Sequence, residues 1–183
     1  SKELYDYILG IAAKWVSAPY YVDGWRLDVA ADLGHSSEFN HKFWRDFRKA
    51  VKTANPEALI LAEHYGDPKD WLEKGDQWDT VMNYDAFMEP LTWFLTGMEK
   101  HSDEYIPEKK GKVDDFEGAM RHFMASFQTS QLQCAMNELS NHDHSRFLTR
   151  TNGTAGRVET HGSEAAEYGV NFGIFREDRK SVV

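Results

Sequence analysis

Cysteine is almost absent. The one thiol in 183 residues, Cys134, excludes a disulfide within the chain, and nothing in cysteine usage points to an oxidising compartment. The thiol reads as a small apolar side chain of the interior. Long apolar runs are missing too: none approaches the roughly 18 residues of a spanning helix, so no membrane partner is expected. Basic charge is in short supply. The 21 Lys and Arg face 30 Asp and Glu, for a net charge of −9. That balance argues against nucleic acid and anionic lipid as partners. Glycine loops that cradle phosphates, of the Gly-x-Gly-x-x-Gly or Walker type, do not occur, which weakens a nucleotide-binding reading.

Aromatics are plentiful, at 14 % with six Trp, and imply either a large core or a surface that stacks on flat ligands. The apolar share of 41 % and charged share of 28 % are those of an ordinary globular domain. The chain starts without Met, inside a helical pattern at Ser1-Lys2-Glu3-Leu4-Tyr5, so a leader before Ser1 is neither indicated nor excluded. At the other end Asp178-Arg179-Lys180-Ser181-Val182-Val183 fits no helix or strand pattern and reads as translated sequencing-adapter sequence. Residues 177–183 are therefore expected to be a non-native tail.

Tyr5, Ile8, Leu9, Ala12 and Trp15 carry helical spacing, as do Phe39, Phe43, Trp44, Phe47, Ala50 and Val51, a pattern that stops before Asn55-Pro56. Gly24–Val29 and the continuous apolar run Ala58–Glu63 read as strands, the second buried on both faces. Pro68–Glu73 suggests a short helix, Thr80–Asn83 a strand and Glu89–Met98 a helix. The region around Lys109 suggests a loop. A further helix follows Asp114, Cys134–Leu139 is expected as a last strand, and a short helix is expected near Ala165. Helices alternating with strands mean βαβ units and a parallel sheet.

The acids fall at strand ends. Asp28 stands near the end of the first strand, Glu63 at the end of the second, and Asp143 just past the last. In parallel α/β folds the loops at those ends open over one face, where catalytic groups gather. Arg26 and Asp28 are two apart and share a side of their strand. An Arg beside an Asp holds the Asp charged, and a charged carboxylate facing another carboxyl group favours the other's protonated form. That division supplies one nucleophile and one proton donor, the pair that breaks a glycosidic bond. Taken singly, Arg26 with Asp28 also fits a buried ion pair, Glu63 a strand-end residue, and His142-Asp143-His144 a solvated loop; their joint position favours a site.

Asp23-Gly24-Trp25-Arg26-Leu27-Asp28-Val29-Ala30 resembles the nucleophile segment of the α-amylase family, glycoside hydrolase family 13. Leu61-Ala62-Glu63-His64 resembles its proton-donor segment, and Ser140-Asn141-His142-Asp143 its third carboxylate segment. Phe43-Trp44-Arg45-Asp46-Phe47-Arg48 and Asp79-Thr80-Val81-Met82-Asn83-Tyr84 resemble most the neopullulanase, cyclomaltodextrinase and maltogenic amylase branch. The resemblance implies a (β/α)8 TIM barrel of which residues 1–176 are an incomplete part, about strands 4 to 7 with their helices, strands 1–3 and 8 being missing. A whole barrel takes about 250 residues. The fragment alone is expected to aggregate or form a molten state, and to be inactive.

The resemblance implies retaining hydrolysis of α-glucosidic bonds in starch, pullulan, cyclodextrin or maltooligosaccharides. Asp28 is then the nucleophile, Glu63 the acid and base, and Asp143, helped by His142, a binder of sugar hydroxyls. The reacting carboxyls stand about 5–5.5 Å apart in such enzymes. Arg26 orients Asp28, while His64 and Tyr65 line the sugar site. Other aromatics near strand ends, Trp71, Tyr84, Phe87 and Trp93, are expected chiefly to pack. No cofactor or metal is expected in this stretch, where no Asp-rich calcium loop occurs; calcium and a homodimer are open to a longer enzyme, and the expected location is cytoplasmic. Two other classes compete. A non-catalytic α-amylase-like binding domain predicts loss of at least one of Asp28, Glu63 and Asp143, and all three are present. A metal-dependent hydrolase would build on His142-Asp143-His144 with His35 or His64, without a supporting His-x-x-x-His spacing. An α-glucan transglycosylase shares the trio and differs in what attacks the intermediate.

Overall fold

The computed structural model describes residues 1–99, 104–144 and 147. They fall into two units: Ser1–Met82 with Ala125–Met136, and the described part of Asn83–Met124 and Asn137–Val183.

The first unit opens with α1 (Lys2–Trp15), capped by Ser1, whose hydroxyl accepts the Leu4 N–H at 3.2 Å. Helical spacing gathers Tyr5, Ile8, Leu9 and Ala12 on one face, which packs against α2 (Ser37–Ala54). At the rim of that contact the Tyr5 hydroxyl donates to Asp46 Oδ2 at 2.6 Å, and Lys42 Nζ reaches the same oxygen at 2.6 Å. The bonds from Lys42 and Tyr5 hold the Asp46 carboxyl below its ordinary pKa. Ser36 caps α2, accepting the Phe39 N–H at 3.2 Å. The helix ends at Asn55, because Pro56 disfavours helical backbone in the residue before it.

Three parallel strands follow the order β1 (Gly24–Leu27), β2 (Leu59–Ala62), β3 (Thr80–Val81). The register pairs Gly24 with Leu59 through Leu27 with Ala62, and Leu61 with Thr80. A Cβ at Gly24 would collide with the Leu59 carbonyl, so the start of the register requires glycine. Ile60, Leu61 and Ala62 are all buried, as a strand covered on both faces demands. Behind the sheet Trp71, from the short α3 (Lys69–Leu72), stacks on Trp78 with centroids 4.8 Å apart. Trp44 meets Trp78 edge-on at 6.1 Å. Each such ring contributes about 2–3 kcal/mol by burial, so these tryptophans serve the core.

Asp79 ties α2 to the sheet: its carboxylate accepts the Ile60 N–H at 2.9 Å, bonds Arg48 at 2.7 Å and pairs with Lys52 at 2.8 Å. Burial pushes its pKa up, but the bonds from Lys52, Arg48 and the Ile60 N–H outweigh burial and leave it below the ordinary value. A short helix over Thr129–Gln133 closes the unit. There the Gln131 amide donates to the Leu72 carbonyl at 2.7 Å, and the Thr80 hydroxyl to the Gln131 carbonyl at 2.8 Å.

The second unit begins with a π-helical turn, Tyr84–Met88, which runs into an α-helix over Glu89–Thr96. Pro90 lies in its first turn, and Gly97 at φ 77° ends it in the left-handed conformation that glycine adopts freely. A second helix, Val113–Met124, lays Phe116 on Phe94 at 4.6 Å.

The expected α/β class with a parallel sheet is observed. Cys134–Leu139, however, is not a strand. Cys134 follows the Thr129–Gln133 helix, and only Met136 bridges to Met82, its N–H donating to the Val81 carbonyl at 3.2 Å. The neighbouring β3 is two residues long and offers no longer ladder. Cys134 is exposed rather than interior, lying just past a helix end. The expected helix near Ala165 and the tail at 177–183 lie outside the described residues. Among the described residues no helix is long and apolar enough to cross a membrane.

Candidate active site

β1 ends at Leu27, and the next residue, Asp28, leaves the sheet. β2 ends at Ala62, and the next residue is Glu63. The parallel register sets these two ends side by side. The ladder runs one bond further, the Glu63 N–H donating to the Leu27 carbonyl at 2.8 Å. Arg26 spans both acids: one guanidinium nitrogen pairs with Asp28 Oδ1, and the other with Glu63 Oε2 at 3.1 Å. A planar fork suits this task, because its two N–H edges reach separate oxygens without twisting.

The two acids differ in surroundings. The Asp28 side chain is 74 % exposed and that of Glu63 only 6 %. Glu63 Oε2 also accepts the Val29 N–H at 3.1 Å, and the Glu63 carbonyl accepts the Ala30 N–H at 3.2 Å. Val29 reaches this position with φ 44° and ψ 44°, left-handed backbone that a β-branched residue adopts at a cost of about 1–3 kcal/mol. The strain stands next to the exposed carboxylate and lets the chain turn back over β2.

Beyond Val29 a 3₁₀ turn, Ala30–Asp32, is gripped from α2. The Asn40 amide nitrogen lies 2.9 Å from the Ala30 carbonyl and 3.0 Å from those of Ala31 and Leu33. Trp44, one helical turn on, donates its indole N–H to the Ala30 carbonyl at 2.9 Å. The predicted sugar-contact residues lie near Glu63. His64 tilts onto Trp71 at 4.9 Å, with Nε2 3.2 Å from the Asp67 carbonyl, while Tyr65 is exposed.

His142 and Asp143 belong to the second unit, where their loop has a different support. Asn141, 7 % exposed, is its hub. Its amide nitrogen donates to the Tyr84 hydroxyl at 3.0 Å and to Glu138 Oε1 at 2.9 Å. Its amide oxygen accepts the Asp143 N–H at 3.0 Å and lies 2.8 Å from His144 Nδ1. Since that oxygen only accepts, His144 carries a proton on Nδ1. His142 Nε2 and Asp143 Oδ2 are 3.3 Å apart and both side chains face solvent. Among the described residues no three His, Cys, Asp or Glu side chains are grouped to hold a metal ion.

Of the residues anticipated from sequence, the structure thus brings Arg26, Asp28 and Glu63 together, with His64 and Tyr65 following on the chain, and sets His142 beside Asp143. Tyr84 and Trp93 are buried and Phe87 is half-buried, as packing residues are. Three supports went unread: the left-handed Val29, Asn40 and Asn141. Asn40 did leave a trace, as a polar residue on the α2 face that also carries Phe43, Trp44 and Phe47.

The family described as "Alpha amylase, catalytic domain" matches residues 1–168. A cyclomaltodextrinase of Geobacillus thermopakistaniensis is 34 % identical over 157 residues, covering 86 % of this chain and 23 % of that protein. Neopullulanase 2 of Thermoactinomyces vulgaris is 36 % identical over 151 residues, covering 82 % of this chain and 22 % of that protein. The solved cyclic α-maltosyl-(1→6)-maltose hydrolase of Arthrobacter globiformis superposes with a TM-score of 0.66 at 29 % identity, over 84 % of this chain and 30 % of the other. The chain therefore spans less than a quarter of the length of these two curated relatives.

Proposed function

Because this chain belongs to the α-amylase catalytic-domain family, we propose that it carries the nucleophile and the proton donor of an enzyme that hydrolyses α-glucosidic bonds in α-glucans with retention. One observation carries the reading: a single guanidinium, Arg26, holds the carboxylates of Asp28 and Glu63 at adjacent ends of parallel strands.

In this reading Asp28 is the nucleophile. Its side chain faces solvent, and one carboxylate oxygen attacks the anomeric carbon of a bound glucose unit. Glu63, buried to one side, protonates the leaving glycosidic oxygen; it then takes a proton from the water that releases the glycosyl–enzyme. Arg26 keeps Asp28 aimed at the anomeric carbon before the attack and receives its carboxylate again when water releases the sugar. Asp143 and His142, both open to solvent, bind sugar hydroxyls, and His64 and Tyr65 flank the donor. In barrel terms β1, β2 and β3 correspond to strands four, five and six, and the Met136 bridge stands at the seventh position.

The test uses the full-length protein that contains this chain, assayed on pullulan, cyclodextrin and starch. Turnover with retention on at least one of them, abolished in Asp28→Asn without loss of folding, is the expected result. An Asp28→Asn protein that still turns over removes the nucleophile assignment.

A further inference from the structure

The carbonyls of Ala30, Ala31 and Leu33 converge on one buried amide nitrogen, that of Asn40, which is 3 % exposed. We propose that Asn40 is the positioning residue that locks the turn after Asp28 and so holds Asp28 and Glu63 in their working arrangement. The inference rests on the glycosidase reading above and adds to it a residue that touches neither the reacting groups nor the sugar.

Four observations support the assignment. The orientation of the amide is fixed: its oxygen accepts the Trp71 indole N–H at 2.8 Å, so its nitrogen faces the three carbonyls. Only a donor fits there, since an oxygen would meet three other oxygens. The turn it grips is strained, with Val29 in left-handed backbone, and such a conformation persists only where its surroundings over-determine it. The N–H groups of the same turn are committed to Glu63, Val29 to its carboxylate and Ala30 to its carbonyl. The turn is thus held at its carbonyls by Asn40 and in turn fixes Glu63 through its amides. Releasing the first set lets Val29 relax toward ordinary backbone, which withdraws its N–H from Glu63 and swings Asp28 away from Arg26.

The test is a split between kcat and KM in the full-length protein. Asn40→Leu keeps the branch at Cγ and removes the donor. Its kcat is expected to fall about 100-fold, the loss typical of a misplacement of about 1 Å near reacting groups, with KM within about threefold of wild type. Trp71→Phe, which keeps a ring in the stack but frees the amide to turn, is expected to lose about tenfold in kcat and serves if Asn40→Leu does not fold. Val51→Ala, a core truncation on the same helix, supplies a stability control: it lowers the melting temperature and leaves kcat within about twofold. A kcat within threefold of wild type in the folded Asn40→Leu protein, or in Trp71→Phe where Asn40→Leu does not fold, overturns the proposal. So does an equal loss of kcat in Val51→Ala. Activity that survives Asp28→Asn removes the nucleophile assignment, and the positioning proposal with it. An inactive Asp28→Asn beside a fully active Asn40→Leu overturns the positioning role alone.

Discussion

Two loops carry the acids of this chain, and they are built on different principles. The turn after β1 takes its shape from backbone. The strand ladder delivers Asp28 and Glu63 side by side, amides of the turn bond to Glu63, and α2 grips the turn's carbonyls. The loop at Asp143 hangs on one side chain, Asn141, which makes the bonds a strand would otherwise supply. A reacting pair tolerates little error in position, and a ladder of parallel strands provides the stiffer support. A group that binds hydroxyls through solvent-facing oxygens tolerates more, and a side-chain hub suffices.

The comparison breaks first at the acids themselves. Asp28→Asn in the full-length protein is expected to lower kcat by about 10⁴-fold or more if Asp28 is the nucleophile as proposed, with melting temperature within a few degrees of wild type. Asp143→Asn is expected to cost less in turnover and to show a larger share of its effect in KM. Steady-state kinetics on one maltooligosaccharide measures both, and equal losses with identical KM would erase the distinction between the loops.

Arg26→Ala probes the backbone-built side. It removes the Arg26 contact from the buried Glu63 carboxyl group and is expected to destabilise by about 1–3 kcal/mol. Urea unfolding reads this directly. Asn141→Ala probes the other side. It strips four hydrogen-bond partners from one hub and is expected to cost about 1–3 kcal/mol, with KM raised and kcat on an activated glucoside nearly kept. A kcat loss as deep as that of Asp28→Asn would show that the side-chain hub matters to chemistry as much as the ladder does.

The smallest effect concerns the frame behind β2. Asp79 has a folded pKa below its ordinary value of 3.8, after the bonds from Lys52, Arg48 and Ile60 outweigh burial. Its contribution is therefore present above that ordinary value and is lost as pH falls through the lower, folded one. Asp79→Asn is expected to flatten the loss of stability below about pH 4 while changing turnover little near neutrality. Melting curves across the acid range check this; an unchanged acid limb would remove Asp79 from the supports of the sheet.

Much of this arrangement is legible in the residues. The spacing of Tyr5, Ile8 and Ala12, and of Phe43, Phe47 and Val51, marks the two long helices, and the caps Ser1 and Ser36 stand where those patterns begin. The run before Glu63 marks a buried parallel strand, because a strand covered on both faces has no polar side to show. The four-residue α3 is marked by Pro68, but other short elements escape. The turn at Tyr84–Met88 and the helix at Thr129–Gln133 are five residues each, less than two helical periods. Cys134–Leu139 looks like a strand by composition, but its partner is too short to pair with it.

What the amino-acid order determined alone is that Asp28 and Glu63 stand at the ends of β1 and β2, since apolar runs and turn residues locate those ends by local rules, whereas Asp143 does not follow a strand. What only the folded molecule decided is how the acids are held. The shared guanidinium, the left-handed Val29 and the Asn40 grip depend on hydrogen bonds across strands and between helix and turn. Such bonds join residues distant in the chain, and they leave no periodic trace in it.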